Sequence, residues 1–243
     1  RDAAFEAVAR AFVADRRAAG LPVELLDRQQ VHDMVPALGP EVSGAVWNPL
    51  DAHQDTRRLV GHLASRFADD GGEVVAPKRV AALLSTGSQI GGVRLDDGSE
   101  IQSAMVVVAA ASGSNALLAP LRLAVAFKPT RFEAAATAPA DLAIAPVIAG
   151  QSQFRFFTPP GVDPAVLSPE PSERIRPELG FTEQIASLPD GSLQFGCAYE
   201  VGSDLDQATV AGQAMACSIM SRNVPAIAGL PIVRQWAGVV AQT

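Results

Sequence analysis

The sequence predicts a chain that joins an α/β region to a mostly antiparallel α+β region. In the first half, helical patterns alternate with short apolar runs, and the run Met105–Ala110 lacks the alternation of a half-buried strand. Such a run is typical of a parallel strand that helices cover on both faces. From residue 123 onward, alternating runs separated by turn signals dominate, which is typical of antiparallel strands. We therefore expect a doubly wound sheet with helices first and an antiparallel sheet with covering helices second.

In the first half, the helical spacing of apolar residues predicts two longer helices, over residues 2–18 and 55–69. Asp2 and Gly20 are suited to begin and end the first helix, and Asp55 is suited to cap the second. The second helix has an apolar stripe that we expect to pack on the sheet, formed by Leu59, Leu63 and Phe67. The remaining predicted elements are a short helix over 28–34 and strands over 43–48, 73–76, 80–84, 90–95 and 105–110. We expect the strands over 73–76 and 105–110 to lie side by side and parallel.

In the second half, a Pro-Asp-Gly turn at 189–191 predicts a hairpin between strands over 181–186 and 192–197. A helix over 204–221 is expected to cover this sheet, because it too has apolar residues to bury. Further strands are predicted over 124–136, 144–148, 153–157 and 232–240. The proline-rich stretch 159–177 is expected to be a surface excursion.

Composition excludes several functional classes. The formal net charge of −7 disfavours nucleic acid and anionic membrane surfaces as partners. Only Cys197 and Cys217 are present, so we expect neither a disulfide scaffold nor a four-thiolate metal site, and a reduced, cytoplasmic protein is the default. No apolar run is long enough for a transmembrane segment. The three histidines do not have metal-ligand spacing, so no metal is expected. Because the chain starts at Arg1 and ends directly after an apolar run, we expect an interior piece of a longer protein.

A set of weak motifs follows one another in a recognisable order. They are VELLD at 23–27, VPAL at 35–38, PLDAHQDTRRL at 49–59, VVVAAASGS at 106–114, FKPTR at 127–131, PDGSLQFG at 189–196 and VRQWAG at 233–238. Together they resemble the superfamily of FAD-dependent amine and amino-acid oxidoreductases, which includes glycine oxidase, sarcosine oxidase and D-amino-acid oxidase. The ending is most similar to opine oxidase and dye-linked proline dehydrogenase subunits.

The resemblance implies FAD as cofactor and oxidation of a C–N bond, with hydride leaving the α-carbon of an amine or amino acid and an imine as product. It implies a nucleotide-binding-type parallel sheet over residues 1–122 with 232–243, in which 1–50 contribute to the substrate side. Residues 123–231 would form the substrate or cap domain. The dinucleotide-binding glycine motif of the family does not occur in the chain. A partner subunit or a homo-oligomer is consistent with the resemblance.

The resemblance assigns seven residues to cofactor binding: Arg79, Val80, Ala109, Ala110, Ala111, Ser112 and Gly238. Small side chains at the end of the strand over 105–110 would let the backbone approach a nucleotide closely, although alanines also pack well against a helix. Ala111 stands where the family has a glycine, and alanine resists positive φ. The backbone of Val80 would hold the adenine, or Val80 is simply a core residue.

Three residues are assigned to the substrate side: His53, Arg234 and Trp236. Arg234 is suited to bind a carboxylate. At the positions where the family usually has its carboxylate-binding arginine, this chain has Val239 and Val240. Trp236 either lines the flavin pocket or fills the core, and His53 is otherwise a polar loop residue. No catalytic residue is identified. A non-catalytic subunit that keeps the fold without flavin is the alternative function, and an unrelated nicotinamide reductase is a third.

Overall fold

A computed structural model describes residues 3–142, 144–156 and 178–242. The chain divides into two compact units. The first unit comprises residues 1–53 and 130–239, and the second comprises residues 54–129 and 240–243. The assignment of cofactor-binding and substrate domains stays a prediction.

The described residues form the following helices and strands: α1 (Ala3–Ala18), β1 (Glu24–Asp27), α2 (Arg28–Met34), β2 (Gly44–Trp47), α3 (Thr56–Asp69), β3 (Val80–Thr86), β4 (Gln89–Leu95), β5 (Glu100–Gln102), α4 (Ser114–Leu118), β6 (Lys128–Thr137), β7 (Ile148–Ala149), β8 (Leu179–Ser187), β9 (Leu193–Val201), α5 (Val210–Asn223) and β10 (Ile232–Gln242). Short 3₁₀ turns lie at Ala111–Gly113, Ala119–Leu121, Gln151–Phe156 and Pro225–Gly229. No helix within these ranges is both long and apolar enough to cross a membrane.

The first unit is built on a five-stranded sheet with the order β10-β6-β9-β8-β7. β6, β8 and β7 each run antiparallel to the strand they pair with. Helix α5 packs against β8 and β9, and the two layers enclose the main core. Its large members include Phe181, Phe195, Ile185, Leu193, Met215, Ile219 and Met220. The predicted antiparallel sheet with its covering helix is therefore confirmed.

Helix α5 begins later than the sequence suggested. Thr209 is the N-cap, and its hydroxyl oxygen accepts a hydrogen bond from Gly212 N at 3.1 Å. A side-chain acceptor at the N-cap satisfies one of the free amides of the first turn. The predicted start at residue 204 missed this cap because Asp204 is also a residue type that is favoured at the N-cap.

The first unit also contains helices α1 and α2 beside the antiparallel strand pair β1–β2. Asp27 and Gln30 form a capping box at the start of α2, which explains why this helix begins where the sequence predicts. Gly20 follows α1 with a φ of +81°, as a helix-ending glycine does. Asp2 lies outside the described residues.

The second unit contains the antiparallel sheet β3-β4-β5 with helices α3 and α4. The predicted parallel pair is wrong for these residues, because neither 73–76 nor 105–110 forms a strand. Met105 and Val107 are 77% and 81% exposed. A strand requires a neighbour to complete its hydrogen-bond ladder, and none of the described strands lies beside either segment.

The predicted packing of α3 fails for the same reason. Its N-cap is Asp55, as expected, but none of its described residues is buried. Leu63 and Phe67 are 58% and 54% exposed. The sheet that this apolar stripe was expected to cover is not formed by the described residues.

Three strand predictions of the second half also need correction. The strand over 144–148 shrinks to β7, and 151–156 forms a 3₁₀ turn in place of a strand. Residues 124–127 precede β6, and there the side-chain amide of Asn115 donates to Val125 O and accepts from Val125 N, both at 2.8 Å. The Asn115 side chain thereby makes two backbone hydrogen bonds of the kind that a neighbouring strand would make. Phe157 and the proline-rich stretch 159–177 lie outside the described residues.

Candidate cofactor and substrate sites

The main candidate cofactor segment is the alanine turn, Ala109–Ser112, in the second unit. Its three alanines are exposed, and Ser112 is partly buried. Ala111 has a φ of +46°, and Gly113 N donates to Ala110 O at 2.8 Å, so the chain reverses tightly before α4. Successive amides in such a turn create a concave, electropositive surface that suits an anion.

The conformation of Ala111 is unusual for a residue with a side chain. A left-handed backbone costs an L-residue about 1–2 kcal/mol, and strained residues cluster at ligand-binding sites. Small, exposed side chains around this strained residue leave its backbone accessible. The geometry therefore fits a nucleotide cofactor that approaches the main chain.

The other cofactor candidates in this unit, Arg79 and Val80, stand at the start of β3. Val80 pairs with Leu95, and Arg79 O accepts a hydrogen bond from Asp96 N at 2.9 Å. Helix α4, which follows the alanine turn, contacts β3. The structure thus places both predicted cofactor segments on touching elements of one unit.

The loop before β3 is tied to the β4–β5 turn by an exposed ion pair between Lys78 and Asp97. The hydrogen bond from the Lys78 ammonium holds the pKa of Asp97 well below its usual range. Hydrogen bonds from Ser99 make a smaller contribution in the same direction. The same hydrogen bond raises the pKa of Lys78. Both groups are charged at neutral pH, so this tether persists under ordinary conditions.

Two substrate-side candidates, Arg234 and Trp236, lie on one face of β10 because they are two residues apart. The Arg234 guanidinium carbon lies 4.7 Å from the centroid of the Trp236 ring, which is a cation–π geometry. Arg234 is exposed and Trp236 is partly buried. The Ser192 hydroxyl lowers the pKa of Asp190 below its usual value, and the nearby charge of Arg234 adds to this effect.

The third candidate, His53, is exposed in the loop between β2 and α3. Within the described ranges, no hydrogen bond or ion pair connects it to Arg234 or Trp236. Asp55 acts as a helix cap, since it accepts hydrogen bonds from Arg57 N at 3.1 Å and Arg58 N at 3.2 Å.

Gly238 is exposed on β10, and a Cβ added there would meet nothing within 4 Å. The predicted cofactor residues other than Gly238 belong to the second unit, whereas Gly238 and all the substrate candidates belong to the first.

Sequence reasoning missed a buried charged network in the first unit. Arg131 Nη2 lies 2.6 Å from Glu200 Oε2, and Arg131 Nε lies 3.0 Å from Glu133 Oε1 without hydrogen-bond geometry. Glu133 also accepts hydrogen bonds from Thr209 N at 2.7 Å and Thr209 Oγ1 at 2.8 Å. Arg131 and Glu133 are 2% and 0% exposed. The network therefore joins β6, β9 and the start of α5.

One signal of this network was present in the sequence. Arg131 and Glu133 are two residues apart in a predicted strand, so they share a face and are oppositely charged. Their partners, Glu200 and Thr209, become visible only when the strand register and the start of α5 are known.

Comparison with known families identifies the class of protein to which the chain belongs. The whole chain, residues 1–243, matches the family described as FAD dependent oxidoreductase. The chain belongs to this family, and FAD is the family's cofactor. The predicted superfamily is confirmed.

Three solved structures illustrate the shared fold. L-proline dehydrogenase from P. horikoshii is 21% identical, with a TM-score of 0.74 over 94% of this chain and 55% of its own. Glycine oxidase from Bacillus cereus ATCC 14579 is 17% identical, with a TM-score of 0.80 over 100% of this chain and 58% of its own. L-α-glycerophosphate oxidase from Mycoplasma pneumoniae, a structure with FAD bound, is 13% identical, with a TM-score of 0.62 over 90% of this chain and 53% of its own. A search of the curated proteins found no match.

The chain thus spans little more than half the length of these relatives. At these identities the likeness establishes the fold alone.

Proposed function

We propose that the whole protein oxidises a C–N bond of an amine or amino acid. The observation that carries the proposal is the exposed, left-handed alanine turn in a chain of the FAD-dependent family. Two relatives with this fold are named as a proline dehydrogenase and a glycine oxidase, and both of these amino acids have a C–N bond at the α-carbon. The α-carbon gives up hydride, and the nitrogen loses a proton, so that an imine forms.

The residues present fit the cofactor. When bound, FAD supplies the two-electron acceptor for such a reaction. The alanine turn would hold it through main-chain amides, since its small side chains do not block approach. Arg79 and Val80 would serve the adenine end. The proposal includes a nucleotide-binding-type parallel sheet in the whole protein.

The substrate side rests on the first unit. Arg234 would bind the carboxylate of an amino acid, because a guanidinium can donate two parallel hydrogen bonds to it. Trp236 beneath the guanidinium limits the positions that Arg234 can adopt. Substrate orientation and exclusion of water are then the main tasks of these side chains, and a strongly shifted catalytic acid or base is not required.

Anaerobic mixing of the FAD-loaded, full-length protein with candidate substrates tests this proposal. Loss of the oxidised-flavin absorbance band is expected with glycine, sarcosine, proline or larger amino acids, together with release of a carbonyl product by imine hydrolysis. Arg234→Gln should raise KM for amino acids more than for amines without a carboxylate, and Arg66→Gln on α3 is the matched surface control. Reduction by 2-hydroxy acids or glycerol phosphate but by no amine would refute the proposal.

A further inference from the structure

A cavity of about 630 Å³ lies within the first unit. Helix α1, the strand pair β1–β2, helix α2 and the 3₁₀ turn at Gln151–Phe156 supply most of its walls. None of the residues assigned to the cofactor or to the substrate side lines it. A volume of this size is typical of sites that bind small molecules.

Contacts between the wall elements hold the cavity in shape. The rings of Phe5 and Phe12 each meet the ring of Phe154 edge to face, with centroids 5.4 Å and 5.0 Å apart, which joins α1 to the 3₁₀ turn. Gly39 N donates to Asn223 O at 2.7 Å, and a Cβ at residue 39 would overlap the backbone of the last turn of α5. The walls are therefore in place before a ligand enters, which reduces the entropy lost on binding.

The lining is rich in apolar and aromatic side chains. Each wall element contributes at least one of them: Phe5, Leu26, Val31, Val46 and Phe154. A ligand with an apolar group gains free energy when that group leaves water for such a surface. The rings also attract positive charge, because the face of an aromatic ring is electronegative.

The charged residues of the lining are two carboxylates and one guanidinium. Glu6 and Arg10 form an ion pair at 2.5 Å, so their charges largely cancel. Asp27 has no ion-pair partner within the described ranges. Its Oδ1 accepts a hydrogen bond from Gln30 N at 2.9 Å, which leaves Oδ2 for a ligand. The lining therefore has one negative charge in excess, which favours a cation over an anion.

We propose that this cavity binds an organic cation, an ammonium ion that carries an aromatic or bulky aliphatic group. The apolar group packs against the side chains of Phe5 and Phe154, and the charged nitrogen is attracted by the carboxylate of Asp27. This site is separate from the one that oxidises substrate, and the inference does not rest on the proposed function.

Isothermal titration calorimetry of the FAD-loaded, full-length protein with benzyltrimethylammonium tests the proposal. The quaternary nitrogen of this probe has neither a lone pair nor a proton to lose, so the probe cannot become an imine. We expect one saturable site with a Kd of about 1 mM or lower. Phenylacetate and benzyl alcohol, which are anionic and neutral, should bind at least about fivefold more weakly, since neither is attracted by Asp27.

Asp27→Asn separates the charge of this residue from its structural role, because asparagine also caps a helix. It should weaken binding of benzyltrimethylammonium by about two- to fivefold and leave that of benzyl alcohol unchanged. Asp33→Asn is the matched control, since it makes the same charge change on α2 outside the lining and should leave Kd unchanged.

Two further variants test the aromatic wall and the location of the site. Phe154→Leu should weaken binding of the cation by about fivefold, and Phe5→Leu supplies the same measurement if that variant fails to fold. Arg234→Gln should leave Kd unchanged, because Arg234 does not line the cavity.

Two outcomes overturn the inference. One is the absence of saturable binding of benzyltrimethylammonium, or an equal affinity for phenylacetate. The other is a Kd that changes with Arg234→Gln but not with Asp27→Asn, because the probe would then occupy the substrate side. The proposed function is tested separately by flavin reduction, so it stands or falls independently of these results.

Discussion

Replacing Ala111 by glycine should stabilise the protein. Ala111 has a φ of +46°, a left-handed conformation that costs an L-residue about 1–2 kcal/mol. Glycine avoids most of this cost. However, glycine also gives the unfolded chain more conformational entropy, which lowers the free energy of unfolding by about 0.4–1 kcal/mol. Because the first effect exceeds the second, we expect Ala111→Gly to raise the free energy of unfolding by about 0.5–1 kcal/mol.

Thermal unfolding followed by circular dichroism measures this effect. For a chain of this size, the expected gain corresponds to a rise in Tm of about 1–4 °C. Ala110→Gly is the matched control, because Ala110 is exposed like its neighbour Ala111 but has a φ of −95°. This variant should lose about 0.4–1 kcal/mol. Equal destabilisation by the two substitutions would refute the argument that Ala111 is strained.

Three further predictions concern the rest of the fold. Glu133→Ala leaves Arg131 buried without one partner and Thr209 without its acceptor, so the free energy of unfolding measured in urea should fall by about 3–5 kcal/mol. A fall of less than about 1 kcal/mol would contradict the role given to the network. Asp55→Ala should cost about 1 kcal/mol by the same assay, whereas Asp55→Asn, which can still cap α3, should cost much less. Burial raises the pKa of the Cys197 thiol to about 11, so its alkylation, followed by mass spectrometry, should be slow at neutral pH and accelerate until the pH nears that pKa. Rapid labelling of the native protein at neutral pH would show that this thiol is not protected.

Local signals predicted the helices and the hairpin well. The capping box of Asp27 and Gln30 fixes the start of α2, and the cap at Asp55 fixes that of α3. The turn at 189–191 likewise joins β8 to β9. Each of these features depends on residues close in sequence, so the sequence alone contains the information.

The predicted parallel strand failed because strand formation is not a local property. The run Met105–Ala110 has the composition of a buried strand, yet a strand exists only where a neighbour completes its ladder. Among the described residues no neighbour is present, and Val107 is left 81% exposed. An apolar pattern therefore predicts what a segment is able to bury, and the burial itself depends on its partners.

The candidate sites show the same limit. The alanine turn was found from its resemblance to a family motif, and its left-handed residue then became visible in the structure. The contact between Arg234 and Trp236 agrees with simple strand alternation. The pairing of Arg131 with Glu200 could not be predicted, because it depends on the register between two strands far apart in the chain.

Hydrogen–deuterium exchange of the full-length protein, with and without FAD, tests the central claim most directly. If the alanine turn holds the cofactor through its main chain, peptides covering 109–112 should exchange more slowly when FAD is bound. Peptides covering 79–80 should show the same protection, whereas the exposed residues 19–20 at the end of α1 serve as an internal reference and should not change. Stable FAD binding without any protection at 109–112 would contradict the account.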